Sequence, residues 1–389
     1  SDVYTRQGAY LDINLTGLSV NVAVSNTART IYGNLTIPSS GGTFTAGGSI
    51  TTFGATSGTK TITTNSRALD FPITLNGVGG TWQLQDNLTI GATRNFTLTN
   101  GIFDLNSLVL STGAFSTSNS NTRTLALGTG RVDLTGNNAT VLNIANATNL
   151  TITGTPYFNS TYAGATGTRT FDLTGLTEAQ AISVATSGSS GIIIGTTATD
   201  IIALTGSFLN VDLTGLTVTL SNTVRSIYGN LTVPGSGGTI SAGTSATTFA
   251  STSGTDTITT NGRTLDFPII FNGVGGTWQL QDNLTIGATR ALTLTAGTLN
   301  INSLVLSAGV FSSTGSGVRT LAFGTGRIDL ANSGTTILNI ATATNFSTTG
   351  TVYIRSTYTG AVGARIIDLS GLTEAQASAG YSVATSGSS

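Results

Sequence analysis

The chain has 389 residues, of which 38% are apolar and 8% are charged, and its 15 basic and 16 acidic side chains leave a net charge of −1. Nucleic acids and anionic membrane surfaces bind clusters of basic side chains, so this balance excludes both as partners. The absence of Cys and His excludes disulfides, thiolate metal sites and acid–base catalysis by imidazole.

Taken in chain order, the predicted elements are almost all short β-strands. In each strand Leu, Ile, Val or Phe alternates with Thr, Asn or Asp, which places apolar side chains on one face and polar ones on the other. Gly, Asn and Ser separate the strands, and 99–101 and 128–130 are predicted turns. The clearest strands of the first half are predicted at 87–90, 96–99, 102–105, 107–110, 124–127 and 150–153.

Helical periodicity is confined to one short segment in each half. Residues 176–181 and 372–377 both read Leu-Thr-Glu-Ala-Gln-Ala, and Thr177 is the predicted N-cap of the first segment. We expect no more than one or two helical turns at either place.

The chain is an internal repeat with an offset of 196 residues. Residues 68–94 return at 264–290 with changes at three positions, and the same offset carries 31–34 onto 227–230 and 173–180 onto 369–376. A long fixed period is typical of stacked repeat architectures. We therefore predict two β-repeat units, at 1–198 and 199–389.

The ends of the sequence suggest a section of a longer repetitive chain. The segment Val-Ala-Thr-Ser-Gly-Ser-Ser at 184–190 is followed by further sequence, whereas its second occurrence, at 383–389, ends the chain. The chain begins at Ser1 without an initiator Met or an apolar leader, so we expect a processed product or a part of something longer. No apolar run approaches the ~20 residues that cross a bilayer, so we expect no membrane insertion.

A shorter period lies inside the long one. Similar strands start at 87, 107, 124 and 140, and a second series starts at 96, 114, 131 and 150. Steps of about 16 to 20 residues are typical of the coils of a β-solenoid. We predict an all-β, tandem-repeat parallel β-helix or solenoid with about ten coils per copy. A string of β-sandwich domains also consists of many short strands and is the alternative.

Carboxylates are the remaining candidates for acid–base chemistry. A pair about 5 to 9 Å apart could hydrolyse a glycan, but the spacing brings no pair together. Three positions exchange Asp and Asn between the copies, which is expected when the side chain serves a turn or a hydrogen-bond ladder. Asp86 with Arg94 and Asp282 with Arg290 are interpreted as ion pairs within a coil. The repeated carboxylates are Asp70/Asp266, Asp86/Asp282, Asp133/Asp329, Asp172/Asp368 and Glu178/Glu374; the exchanges are Asp12/Asn210, Asp104/Asn300 and Asn14/Asp212.

The Gly-rich segments at 77–80 and 273–276 raise the possibility of a phosphate loop. Neither is followed by the Lys and Thr of such a loop, and no helix is predicted after them. We interpret them as turns between strands. No Asp-x-Asp-x-Asp calcium loop is present, so we assign no catalytic, cofactor-binding or metal-ligating residue and expect no cofactor.

Aromatic and threonine residues offer two binding hypotheses. Trp82, Trp278, Tyr32 and Tyr162 could stack on the sugar rings of a receptor, although a packing role is the preferred interpretation of the tryptophans. The Thr-x-Thr runs at 61–63 and 257–259 are similar to threonine ladders that bind ice. They do not recur at a fixed place in every coil, so we interpret Thr as a strand residue with a polar face.

Six segments, at 69–72, 79–82, 87–90, 96–101, 107–110 and 167–169, carry a resemblance that extends over the whole chain. They are similar to the Thr/Gly/Asn-rich β-strand-repeat proteins of tailed phages and of some bacteria. The resemblance implies a tail-fibre, appendage or adhesin component and supplies no catalytic residue.

These observations favour a structural function. We hypothesise a non-enzymatic component of an extracellular fibre or filament, at a virion surface or a bacterial cell surface. Its β-solenoid shaft would self-assemble as a homo-oligomer or present a receptor-binding tip. The alternatives are a glycan-binding bacterial surface adhesin and, less favoured, a polysaccharide depolymerase.

Overall fold

A computed structural model describes residues 3–18, 23–154, 158–162, 167–183, 193–194, 201–214, 219–360, 364–377 and 382–384. The chain divides into two compact units, Ser1–Ser207 and Phe208–Ser389. Of the described residues about half are strand and 2% are helix, in stacked coils of a β-solenoid with about 14 turns. This confirms the predicted fold class. The repeated segment at 184–190 lies outside the described residues, as do the last five residues, 385–389, of its second occurrence at 383–389.

The strands of unit 1 are short, apart from two of ten or more residues. They are β1 (Val3–Tyr4), β2 (Gly8–Tyr10), β3 (Ile13–Asn14), β4 (Ala23–Val24), β5 (Arg29–Ile31), β6 (Leu35–Thr36), β7 (Thr43–Phe44), β8 (Thr51–Phe53), β9 (Thr59–Thr63), β10 (Ile73–Leu84), β11 (Leu88–Thr89), β12 (Asn95–Asp104), β13 (Val109–Thr112), β14 (Ala114–Ser116), β15 (Arg123–Ala126), β16 (Arg131–Leu134), β17 (Thr140–Asn143), β18 (Leu150–Thr153), β19 (Phe158–Ser160), β20 (Thr168–Leu173), β21 (Ile193–Ile194) and β22 (Ile201–Phe208), whose last residue is the first of unit 2.

Unit 2 repeats this order. Its strands are β23 (Val211–Asp212), β24 (Thr219–Leu220), β25 (Arg225–Ile227), β26 (Leu231–Thr232), β27 (Thr239–Ile240), β28 (Thr247–Phe249), β29 (Thr255–Thr259), β30 (Thr264–Leu265), β31 (Ile269–Leu280), β32 (Leu284–Ile286), β33 (Ala291–Asn300), β34 (Val305–Ala308), β35 (Val310–Ser312), β36 (Arg319–Gly324), β37 (Arg327–Leu330), β38 (Thr336–Asn339), β39 (Phe346–Gly350), β40 (Tyr353–Ser356), β41 (Ile366–Asp368) and β42 (Ser382–Ala384).

Each coil carries strands on three faces, which we name A, B and C. In unit 1 face A comprises β2, β5, β8, the first parts of β10 and β12, β14, β17 and β20. Face B comprises β3, β6, β9, the second parts of β10 and β12, β15 and β18. Face C comprises β1, β4 and β7, then β11, β13, β16 and β19. Unit 2 has the same three faces, and all these pairings are parallel, whereas the alternative β-sandwich needs antiparallel strands.

Most coils are longer than the predicted 16 to 20 residues, although a few steps between coils are 19 or 20 residues. Hydrogen bonds between neighbouring coils join residues 19 apart at Thr117 and Leu98, 22 apart at Thr64 and Asp86, and 33 apart at Gln180 and Ala147. Longer coils mean fewer of them, so the prediction of about ten coils per copy was wrong. It failed because it counted strands of different faces as equivalent.

The core consists of apolar side chains that stack on their equivalents in the next coil. Phe96 lies on Phe115 with ring centroids 5.8 Å apart and planes within 9° of parallel, and Phe249 lies on Phe271 at 5.1 Å. Each of these rings is fully buried. Stacking between parallel, in-register strands allows a narrow core to bury large side chains without long helices or a wide sheet.

Two of the predicted turns have different outcomes. The turn at 128–130 is confirmed, and Gly128 adopts a φ of 59° there. The turn at 99–101 is wrong, because β12 runs through it and Gly101, with a φ of 80°, only bends the strand between faces A and B. A Cβ at Gly101 would lie 2.3 Å from the carbonyl oxygen of Gly77, so this bend requires glycine.

The helices are as short as predicted: α1 is Glu178–Ser183 and α2 is Glu374–Ala377. The predicted N-cap is confirmed, since Thr177 Oγ1 accepts from the Gln180 backbone N–H at 3.3 Å. Gln180 Oε1 accepts in return from the Thr177 backbone N–H at 3.0 Å, which completes a capping box. Among the described residues, no helix has the length and apolar character that a membrane crossing requires.

Candidate functional site

The positions that exchange Asp and Asn make the same hydrogen bond in both copies. Asp12 Oδ1 accepts from the backbone N–H of Asn34 at 2.6 Å, and Asn210 Oδ1 accepts from that of Asn230 at 2.7 Å. Both bonds cross from one coil to the next. An amide oxygen replaces a carboxylate oxygen as an acceptor but not as an acid or base, so the side chain serves the coil geometry.

The other two exchanges confirm this interpretation. Asp104 accepts from the backbone N–H of Asn106 at 2.8 Å, and Asn300 accepts from that of Asn302 at 2.9 Å. At the third exchange, Asn14 accepts from the backbone N–H of Thr16 at 3.0 Å. Asp212 accepts from that of Thr214 at the same distance. Each is an Asx turn, in which the side-chain oxygen holds the chain as it leaves a strand.

The predicted ion pair between Asp86 and Arg94 is wrong, and so is its copy in unit 2. Arg94 Nε donates to Asp70 at 2.8 Å across one coil, and Arg290 donates to Asp266 at 2.7 Å. Asp86 instead accepts from the backbone N–H of Thr64 at 2.9 Å. Asp282 has the same bond to Thr260. The coil places these residues by register, which nearness in sequence does not reveal.

The remaining carboxylates are also bound by neighbouring donors. Asp133 and Asp329 are buried, and Arg131 and Arg327 pair with them at 2.9 and 3.1 Å. In unit 2 Arg355 also donates to Asp329 at 2.6 Å, and this bond raises the pKa of the Arg355 guanidinium.

Asp172 and Asp368 accept from the hydroxyls of Thr174 and Ser370 at 2.6 Å. The bonds from Ser370 lower the pKa of Asp368. Glu374 is exposed in the first turn of α2, and the side chain of Glu178 lies outside what the structure describes. The described residues contain no group of three or more acidic side chains that could hold a metal ion.

The interpretation of the Gly-rich segments as turns between strands was wrong. Residues 77–80 lie within β10, where three extra residues separate the stretch on face A from the stretch on face B. A Cβ on Gly77 or on Gly80 would lie 1.9 or 2.1 Å from the carbonyl oxygen of Ala55. The glycines are needed because this corner packs directly on the backbone of the previous coil.

Neither tryptophan can bind a sugar, because both are completely buried. Trp82 and Trp278 have no exposed surface and pack against Phe53 and Phe271 at centroid distances of 6.0 and 5.5 Å. Their indole N–H groups have no hydrogen-bond partner among the described residues. The packing role preferred for the tryptophans is therefore confirmed.

Two residues of opposite charge occupy the position beside these rings. The only lysine, Lys60, pairs in register with Trp82, and Asp256 pairs with Trp278. Asp256 Oδ2 is buried and lacks a partner among the described residues. Burial raises the pKa of Asp256, against the opposing effect of a hydrogen bond from Ser251.

Five buried arginines are the polar feature that the sequence did not suggest. Arg123 is 1% exposed and donates to the backbone carbonyl oxygens of Asn121, Asn146 and Thr148 at 2.7 to 2.8 Å. Arg319 donates to the equivalent carbonyl oxygens of Gly317, Thr342 and Thr344 in unit 2. Burial lowers the pKa of both, and it lowers that of Arg225 to about 10. The others are Arg29, Arg169 and Arg225.

The tyrosines and threonines differ from the tryptophans in being accessible. Tyr32 is 45% exposed, whereas Tyr162 and Tyr228 are half-buried. The Thr-x-Thr runs do not form a free ladder, because Thr61 and Thr257 bond to Asn34 and Asn230.

A different set of hydroxyls does align, one from each of five consecutive coils on face A of unit 1. The steps between these residues are 19 to 23 positions, mostly longer than the predicted coil of 16 to 20. The aligned residues are Thr30, Thr52, Thr74, Thr97 and Ser116.

Comparisons with protein-family models, with curated proteins and with solved structures found no match for this chain. Its function is therefore inferred from the residues and their geometry.

Proposed function

We propose that the protein is a non-enzymatic structural component of an extracellular fibre or filament, in which the β-solenoid is a shaft. The observation that carries this proposal is the exchange of Asp and Asn at 12/210, 14/212 and 104/300, with the same bond kept in both copies. A catalytic carboxylate does not tolerate an amide, whereas a structural acceptor does.

The composition supports the same proposal. A chain with 8% charged residues and neither Cys nor His depends on packing and backbone pairing for its stability. The resemblance to phage and bacterial β-strand-repeat proteins adds the proposed setting, which is a virion surface or a bacterial cell surface. Self-assembly into homo-oligomers or filaments is part of the proposal, since exposed edges of parallel strands pair with further strands.

Electron microscopy and light scattering of the purified chain test this proposal. We expect elongated particles with an axial spacing of about 4.8 Å and a mass above that of one chain. Compact beads of monomeric mass would contradict the shaft. A reducing-end assay on bacterial polysaccharides tests the absence of enzymatic activity, and release of sugar that one Asp→Asn change abolishes would overturn it.

Glycan binding is a second candidate, and the exposure of Tyr32 favours it. A ring with one accessible face and a polar end can stack on a sugar while its hydroxyl bonds to it. Binding on a glycan array should be lost in Tyr32→Ala and kept in Tyr228→Ala, which changes the less exposed copy. Equal loss in both variants would argue against a specific site at Tyr32.

A further inference from the structure

One face of unit 1 presents a regular row of hydroxyl groups. Neighbouring strands pair Thr30 with Thr52, Thr52 with Thr74, Thr74 with Thr97 and Thr97 with Ser116. We refer to these five residues as the face A ladder. Each of the five lies next to a buried side chain in its strand, so all five side chains point outward. Because adjacent parallel strands are about 4.8 Å apart, the hydroxyl groups repeat at about that spacing.

The hydroxyls of this ladder are available for an external partner. No side-chain hydrogen bond within the described part of the chain uses any of the five, whereas nearby Asn100 donates to Asn76 of the previous coil. The ladder is partly exposed, and the rigid backbone fixes the position of each oxygen and each methyl group. Fixed hydroxyls at one spacing form a template for molecules that repeat at a similar spacing.

The outward-facing side chains next to the ladder in its strands are uncharged and partly apolar, while the charged neighbour Arg29 is buried. Two residues before the first three members lie Ala28, Ile50 and Pro72, of which Ile50 is 47% exposed, whereas the polar Asn95 precedes Thr97. Two residues after those three members lie Tyr32, Gly54 and Asn76. Ordered water is favoured beside apolar groups because they restrict the orientations of first-shell water. Hydroxyls in a row can anchor such water by hydrogen bonds at almost no enthalpic cost.

We propose that the face A ladder of unit 1 binds the surface of ice. The repeating ligand is the ordered water lattice itself, which the hydroxyls anchor and the apolar column orders. The absence of an outward-facing charged side chain beside the ladder suits this ligand, because a charged group would hold water in a radial shell that no ice plane matches.

Unit 2 contains two rows of residues that can be compared with the face A ladder. The equivalent row in unit 2 is interrupted by Ile270, between Thr248 and Thr293. A second uninterrupted row on face B of unit 2 contains Thr255, Thr277, Thr298, Thr320 and Ser347. There the last two hydroxyls bond to each other at 3.0 Å, so they are less available for an external partner than those of the face A ladder.

The test uses the full chain and measures thermal hysteresis and partition of the protein into growing ice. The ladder variant is Thr52→Lys with Thr74→Lys, and the control is Thr277→Lys with Thr298→Lys. All four side chains point outward, so circular dichroism and the melting temperature should match the wild type. Thr52→Gln with Thr74→Gln repeats the test without added charge if the lysines reduce folding.

We expect ice binding by the wild type and by the control, and its loss to the level of buffer in both ladder variants. No hysteresis and no partition of the wild type would overturn the proposal, as would an equal loss in the control. Binding of a neutral polysaccharide that disappears in the ladder variants, without activity on ice, would also overturn it and identify the face as a glycan platform.

Discussion

Arg123 Nη2 donates to the backbone carbonyl oxygen of Asn146 at 2.7 Å, across the gap between two coils and without an acidic partner. The same guanidinium binds carbonyl oxygens of Asn121 and Thr148. A planar group with five donors can satisfy several carbonyls that diverge at a coil corner. The buried arginines therefore hold the corners of the solenoid, where backbone pairing ends.

Replacement of Arg123 by Met should destabilise the protein by about 3 kcal/mol or more, because the buried carbonyls lose their donors. Arg123→Lys should lose a similar amount, because a single ammonium group cannot reach all of these oxygens. Urea unfolding followed by circular dichroism measures both. A loss below ~1 kcal/mol in the Met variant would show that water replaces the guanidinium.

Trp82 is expected to contribute through volume and not through its indole N–H, which has no partner among the described residues. Trp82→Phe should therefore cost much less stability than Trp82→Ala, for which a loss of about 3 to 5 kcal/mol is expected. Thermal unfolding of the two variants tests this. Equal losses would indicate that the N–H is bonded in solution.

Asn106 holds a left-handed conformation with a φ of 51°, and its Nδ2 donates to the carbonyl oxygen of Leu84 at 3.1 Å. Asn106→Ala should cost about 2 kcal/mol, because both the backbone strain and the lost bond contribute. Asn106→Gly should cost about half as much, since glycine adopts this φ freely. Chemical denaturation gives both values, and an Ala variant as stable as the Gly variant would contradict the role of φ.

Asp256 should make the protein less stable at neutral pH than in acid. Its folded-state pKa is raised above 3.8, so the folded state retains a proton that the unfolded state releases as pH rises. The loss of folding stability is absent at pH values below the ordinary pKa of Asp and complete at pH values above the raised pKa of Asp256. Asp256→Asn should raise the melting temperature at pH 7 and leave it unchanged near pH 3.

Asp368→Asn provides the control of opposite sign, because hydrogen bonds lower the pKa of Asp368. Its stabilising contribution to folding is present above pH 3.8, the ordinary pKa, and disappears as pH falls through the lowered pKa. Removal of Asp368 should not raise the melting temperature at pH 7. An increase in both variants would show that a general reduction of negative charge, and not the burial of Asp256, is responsible.

Several features of this protein follow from its sequence alone, because they depend on local pattern. Alternation of apolar and polar residues predicts short strands, the 196-residue offset predicts two copies, and the Asp/Asn exchanges predict structural side chains. The capping box at Thr177 and Gln180 also follows, since both partners lie within one turn of helix.

Only the tertiary structure decides which residues meet across coils. Arg94 pairs with Asp70 and not with Asp86, and Thr30 aligns with Thr52, because a coil brings together residues that are 19 to 33 positions apart. The coil length depends on where the backbone bends, and Gly101 and Gly79, both with positive φ, bend it without ending a strand. Such bends look like turns in sequence, and only packing on the previous coil distinguishes the two.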